Sequence, residues 1–166
     1  GLGVVGGRSG FVTFVCGGLG IGALDFLAGS TFVPLYFRSS FWDVGHGPAS
    51  GLIGREASRS GGVNTALLGI VLHFVVATCI ATVYYLASRY LSFLIRHPII
   101  SGLAFGVIAN LVMQWVVIPL SAIGYRPPAE TIDRGSQMNN YLGHALLVGV
   151  PVAVIASWSA RENSGL

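Results

Sequence analysis

Apolar positions in this chain fall in four long, nearly unbroken blocks. The first runs roughly from Phe11 to Val33 and holds one charge, Asp25. The second runs from about Thr65 to Ser88, the third from about Ile99 to Leu120 and the fourth from about Asn140 to Trp158, all without a charge. A helix needs about 20 mostly apolar residues to cross a bilayer, so each block is predicted as one span. Barrel strands would alternate apolar and polar residues over about ten positions; these blocks are continuous and about twice that length. Pro151 falls inside the fourth, where a kink is tolerable if neighbouring groups satisfy the freed carbonyl. The expected fold is therefore all-α, a single bundle of four transmembrane helices.

The connections differ in character. The first, about 34 to 64, is long and holds Arg38, Asp43, His46, Arg55, Glu56 and Arg59 among apolar residues. Pro48 to Ser58 within it is expected to form a short helix at headgroup level. The second carries Arg89 and Arg96 in a short turn, and the third contains Arg126, Pro127–Pro128, Glu130, Asp133 and Arg134. Four spans put both termini on one side, together with Arg8, Arg89, Arg96 and Arg161. The opposite side has five arginines diluted by four acids over long loops. Arginine density in short loops points to cytoplasmic termini.

Composition agrees. Of 166 residues, 53% are hydrophobic and 9% charged, against about a quarter charged in soluble domains. A net charge of +3, scattered along the chain, gives no footprint for nucleic acid. All nine basic residues are arginine, for which we have no physical account. Cys16 and Cys79 lie in apolar blocks and read as small packing residues. The chain opens at Gly1, so its true start is expected upstream. The first block is too long for a signal-peptide core and is expected to be a retained helix.

Helices in lipid associate through small residues. Gly18 and Gly22 in the first block, Gly102 and Gly106 in the third, and Ala66, Gly69, Ala77 and Ala81 in the second are expected at helix contacts. The polar residues continue the same faces: Asp25 follows Gly18–Gly22, His73 falls on the alanine–glycine stripe, Asn110 and Gln114 follow Gly102–Gly106, and Asn140 and His144 are four apart. Asp25, His73, Gln114 and His144 are expected in one buried layer, about 8–12 Å below the surface with the long loops.

Three chemistries fit such a layer. It can be a hydrogen-bonded network that fixes helix register. It can relay protons or sense pH through a carboxylate beside imidazoles. Or it can ligate haem b through His73 and His144, or a divalent metal through these and Asp25. His46 is expected to be a solvated loop histidine, His97 a helix-boundary residue, and Trp42, Trp115 and Trp158 interfacial anchors. No phosphate loop, zinc-ligand motif or hydrolase elbow is present.

Gly106, Pro119–Leu120, Pro127–Pro128, Gly143–His144 and Arg161, with His73 followed by Tyr84, resemble the YagU-like family of bacterial inner-membrane proteins. The likeness covers about 65 to 161, and does not reach Asp25. It implies an inner-membrane location and about four spans, and brings no reaction, ligand or cofactor. The expected function is a non-enzymatic accessory or structural subunit of a membrane complex, with lipid, other subunits or a second copy as partners. The alternatives are a haem- or metal-binding subunit and a small proton-linked transporter or pH-responsive protein.

Overall fold

The computed structural model describes residues 13–38, 40–125 and 133–164. Arg8, Arg126, Pro127–Pro128, Glu130 and the first residues of the opening block lie outside them. Within the described residues the protein is an all-α bundle with four helices long and apolar enough to span a membrane. They are α1 (Val15–Phe37), α4 (Gly62–Tyr90), α6 (Pro98–Leu120) and α7 (Arg134–Arg161). Three short helices connect them: α2 (Trp42–Ile53), α3 (Arg55–Ser60) and α5 (Ser92–Arg96). Leu27, Val71, Val75, Ile108, Leu146 and Val154 are all exposed on the outside of the bundle. An apolar exterior of that extent is what hydrocarbon solvates and water does not.

The helix ends follow local chemistry. Arg38 adopts a left-handed conformation (φ 51°) and closes α1. Gly54 (φ 84°) breaks the chain between α2 and α3, a backbone angle that glycine adopts without a Cβ penalty. Pro98 opens α6 at its first turn, where its missing N–H costs nothing. Hydroxyls inside the spans are satisfied locally: Thr78 donates to the Phe74 carbonyl and Thr82 to that of Thr78.

Two of the spans contain a π-helical stretch directly before a proline. In α6 it is Met113–Val117, ahead of Pro119; in α7 it is His144–Gly149, ahead of Pro151. A proline inside a helix offers no N–H and crowds the carbonyl four residues back. Widening the preceding turn relieves that crowding, so the kink expected at Pro151 takes the form of a π-bulge.

The fourth span is the centre of the bundle. Some 44% of its most apolar stretch is buried, against 22% for that of α4, 18% for α1 and 11% for α6. Val148, Val152, Ala153 and Ala156 of α7 join Ile21 of α1 and Ala77, Ala81 and Tyr84 of α4 in one core. The α6–α7 contact is made backbone to backbone. A Cβ on Gly102 would stand 2.7 Å from the Gly149 carbonyl oxygen, and one on Gly106 would overlap His144 and Ala145. Gly18 packs on Thr78, and Gly22 on Phe74 and Ala77.

The first connection is ordered rather than loop-like. Its main helix begins at Trp42, six residues before the expected start, and breaks at Gly54 instead of running on to Ser58. It lies against the first turns of α4, where Gly45 meets Ala66 and Gly69 so closely that neither glycine has room for a Cβ. At its far end the Ala122 N–H, just past α6, donates to the Gly51 carbonyl (2.9 Å). Helix α2 therefore bridges the start of α4 and the end of α6 on the side of the long connections.

Candidate functional site

Asp25 and His73 face each other across the α1–α4 contact. Oδ2 of Asp25 is 3.9 Å from Nε2 of His73, and both side chains are mostly covered. Nε2 of His73 also lies 2.9 Å from the Gly22 carbonyl oxygen. A carbonyl only accepts, so Nε2 carries the hydrogen and Nδ1 is the free lone pair of the neutral ring. At 3.9 Å the carboxylate is beyond hydrogen-bond reach but within ion-pair distance. Phe26 and Phe74 stand 5.8 and 5.6 Å from the imidazole, centroid to centroid, and Phe41 of the first connection packs on Phe26. Aromatic carbon thus packs around the imidazole.

The small residues make this meeting possible. Gly22 has no side chain between α1 and α4, so its carbonyl reaches the His73 ring. Asp25 follows Gly22 by three residues and so lies nearly one turn on, on the same side of the helix.

The other polar residues make separate contacts. Nδ1 of His144 lies 2.9 Å from the Asn140 carbonyl of its own helix. By the same reasoning Nδ1 donates and Nε2 is left as the acceptor. The stretch bearing His144 packs on α6 and on α1, but among the described residues no hydrogen bond or ring contact joins it to His73. Asn110 is almost fully enclosed (1% exposed), and its Nδ2 has no hydrogen-bond partner. Gln114 sits on the π-helical stretch of α6, half-buried.

Asp25 lies about twelve residues from the loop-side end of its helix, His73 about eleven and His144 about ten, or roughly 15–18 Å. Gln114 lies about six residues from its end, roughly 9 Å. The helices extend past the apolar blocks, to Phe37, Gly62 and Arg134, so Asp25, His73 and His144 lie at similar distances from their helix ends and Gln114 lies nearer its own. Among the described residues no three of His, Cys, Asp and Glu are grouped to hold a metal ion. The three-ligand set of Asp25, His73 and His144 is thus not assembled.

Sequence reasoning missed a second polar cluster. His46 is half-buried on α2, not solvated. Ser50 and Ser58 both donate to its carbonyl (2.6 and 2.9 Å), and the Ser58 and Thr65 hydroxyls lie 3.5 Å from its Nδ1. Buried Ser58 and the Thr65 hydroxyl, which donates to the Ser58 carbonyl, tie α2, α3 and α4 together. Gly45–Ala49 and Gly149–Ala153 are the available signals for the missed contacts. Both place small residues four apart, the spacing that lets helices approach closely.

At the loop-side surface, Asp133 caps α7 by accepting from the Ser136 N–H (3.0 Å). That bond first, and the Tyr36 hydroxyl second, hold its carboxyl below the usual carboxylate range. The protein is a multi-pass helical membrane protein whose clearest chemical feature is one carboxylate–imidazole pair inside the bundle. Comparison with protein-family models, with curated proteins and with solved structures gives no match.

Proposed function

We propose that this is a non-enzymatic membrane bundle of the bacterial inner membrane that responds to pH through Asp25 and His73. The observation that carries the reading is the 3.9 Å approach of the two groups from different spans. An isolated charge is costly at this depth. The pair is neutral overall either as carboxylic acid and imidazole or as carboxylate and imidazolium. Adding or removing one proton leaves a net charge between α1 and α4 and weakens their contact. Asp43 and His46 on α2 and His144 on α7 are further ionisable groups on helices packed against α1 and α4.

The direct test is pH-difference infrared spectroscopy of the reconstituted protein. A carboxyl stretch that appears on acidification should vanish in Asp25→Asn and shift in His73→Gln. Identical difference spectra for wild type and Asp25→Asn would remove the proposal.

A second reading, favoured by the exposure of α6, is an accessory subunit of a membrane complex or a homo-oligomer. Helix α6 buries little of its apolar length, and Ile108, Trp115 and Val116 are exposed. Gentle detergent extraction should then yield a larger complex; a monodisperse monomer counts against it. The resemblance to the YagU-like family agrees with the proposed location and adds no ligand. Cytoplasmic termini follow from arginine placement and belong to the same proposal.

A further inference from the structure

The turn between α4 and α6 is built more rigidly than a six- or seven-residue link requires. The Leu94 carbonyl accepts from the buried Tyr84 hydroxyl (3.0 Å) and from Ser101 (3.0 Å). Ser101 also bonds the His97 carbonyl (2.7 Å), and Ser157 of α7 donates to the Ile95 carbonyl (2.9 Å). Three spans therefore grip the inner face of α5. Its outer face combines two chemistries. Leu91 and Phe93 are more than half exposed, beside exposed Arg96. Arg89 is turned back along α4, its Nη1 3.2 Å from the Tyr85 hydroxyl. Arg161 lies near the end of the last helix, one turn beyond Ser157.

Charge at this end is one-sided. No acidic residue occurs between Glu56 and Glu130, and Glu162 is the one acid adjoining these arginines in sequence. The loop-side arginines, by contrast, are interleaved with Asp43, Glu56, Glu130 and Asp133. From this we infer that the α4–α6 turn is a binding site for an anionic phospholipid. Its phosphate would lie on Arg96, and its acyl chains against Leu91 and Phe93. A free phosphate would use the guanidinium group alone, and an acidic soluble peptide would leave the exposed apolar side chains wet. The juxtaposition of cation and apolar surface at a helix end matches a lipid with both parts. The rigid backbone beneath holds the site in shape before lipid arrives.

The test uses full-length protein, delipidated in mild detergent and offered phosphatidylglycerol or phosphatidylcholine, with bound lipids counted by native mass spectrometry. Wild type should retain phosphatidylglycerol over phosphatidylcholine. Arg96→Gln should reduce that preference about fivefold, the effect of one cation near an anionic surface. Arg96→Lys should keep most of it. Arg59→Gln, the same charge change on exposed α3, should leave it intact. Equal retention of the two lipids by wild type overturns the proposal. So does a preference unchanged by Arg96→Gln, or one lost equally in Arg59→Gln.

Discussion

Asp25 and His73 are 48 positions apart in the chain, yet their charged atoms stand 3.9 Å from each other between α1 and α4. Neither belongs in hydrocarbon alone, so each is tolerated largely because of the other. His73→Leu leaves a carboxyl without its imidazole, and Asp25→Leu the reverse. Each single change should destabilise the bundle by about 1–3 kcal/mol, the buried-pair penalty reduced for partial exposure. The double change Asp25→Leu/His73→Leu should be closer to wild type than the sum of the two. Thermal unfolding in one detergent, run as a double-mutant cycle, reads this directly. Additive losses would mean that the two groups do not interact.

The same contact should be sensitive to Gly22, but a stronger steric test lies at Gly69. A side chain there must displace the Gly45 backbone of α2. Gly69→Leu should lift α2 from α4 while the four spans stay helical, because span helicity rests on each span's own hydrogen bonds. Limited proteolysis should then cut between Phe37 and Gly62 more readily than in wild type. A wild-type cleavage pattern in Gly69→Leu would show that α2 is not held by this glycine contact.

Asn110 offers a prediction of opposite sign. Its Nδ2 is enclosed without a partner, and an unsatisfied buried donor costs about 1–3 kcal/mol. Asn110→Leu is close in volume and removes the donor, so it should raise the unfolding midpoint. A lowered midpoint would indicate that the amide has a partner in the membrane-embedded protein. Gly106→Leu, one turn away, should be clearly destabilising, by about 1–3 kcal/mol or more, because the His144 backbone occupies the space.

The spans were legible because hydrocarbon imposes a length and a composition that four blocks of this chain meet on their own. How far the first and fourth helices run past their apolar blocks was not, because Pro34 reads as an end to the first and polar residues open the fourth. Arg134–Asn139 reads as loop by hydropathy, yet forms the first turns of α7 beneath the Asp133 cap. The arrangement of α2 was also hidden. Residues 42–53 have no long apolar run, and only Gly45 and Ala49, placed four apart, hint at a helix pressed against another. Which polar side chains would actually meet depends on helix rotation. Small-residue stripes indicate that only coarsely: Asp25 and His73 lie within ion-pair distance, whereas His144 bonds back to its own helix.

Asp133 closes α7 at the surface, and its chemistry gives a pH signature separate from that of the membrane pair. The Ser136 N–H and the Tyr36 hydroxyl both favour the ionised carboxylate, so its folded value lies below the ordinary one. A lowered folded value means that the stabilisation is fully present above the unfolded value, near pH 4. It is then lost as the pH falls through the folded value. Asparagine caps helices about as well as aspartate but does not titrate. Asp133→Asn should therefore fold normally at neutral pH and show a shallower loss of stability below pH 4 than wild type. The comparison is a series of unfolding midpoints between pH 2.5 and 6, with Asp25→Asn alongside. Parallel curves for wild type and Asp133→Asn would show that the cap does not contribute to acid sensitivity. A change confined to Asp25→Asn would place all of that sensitivity in the membrane pair.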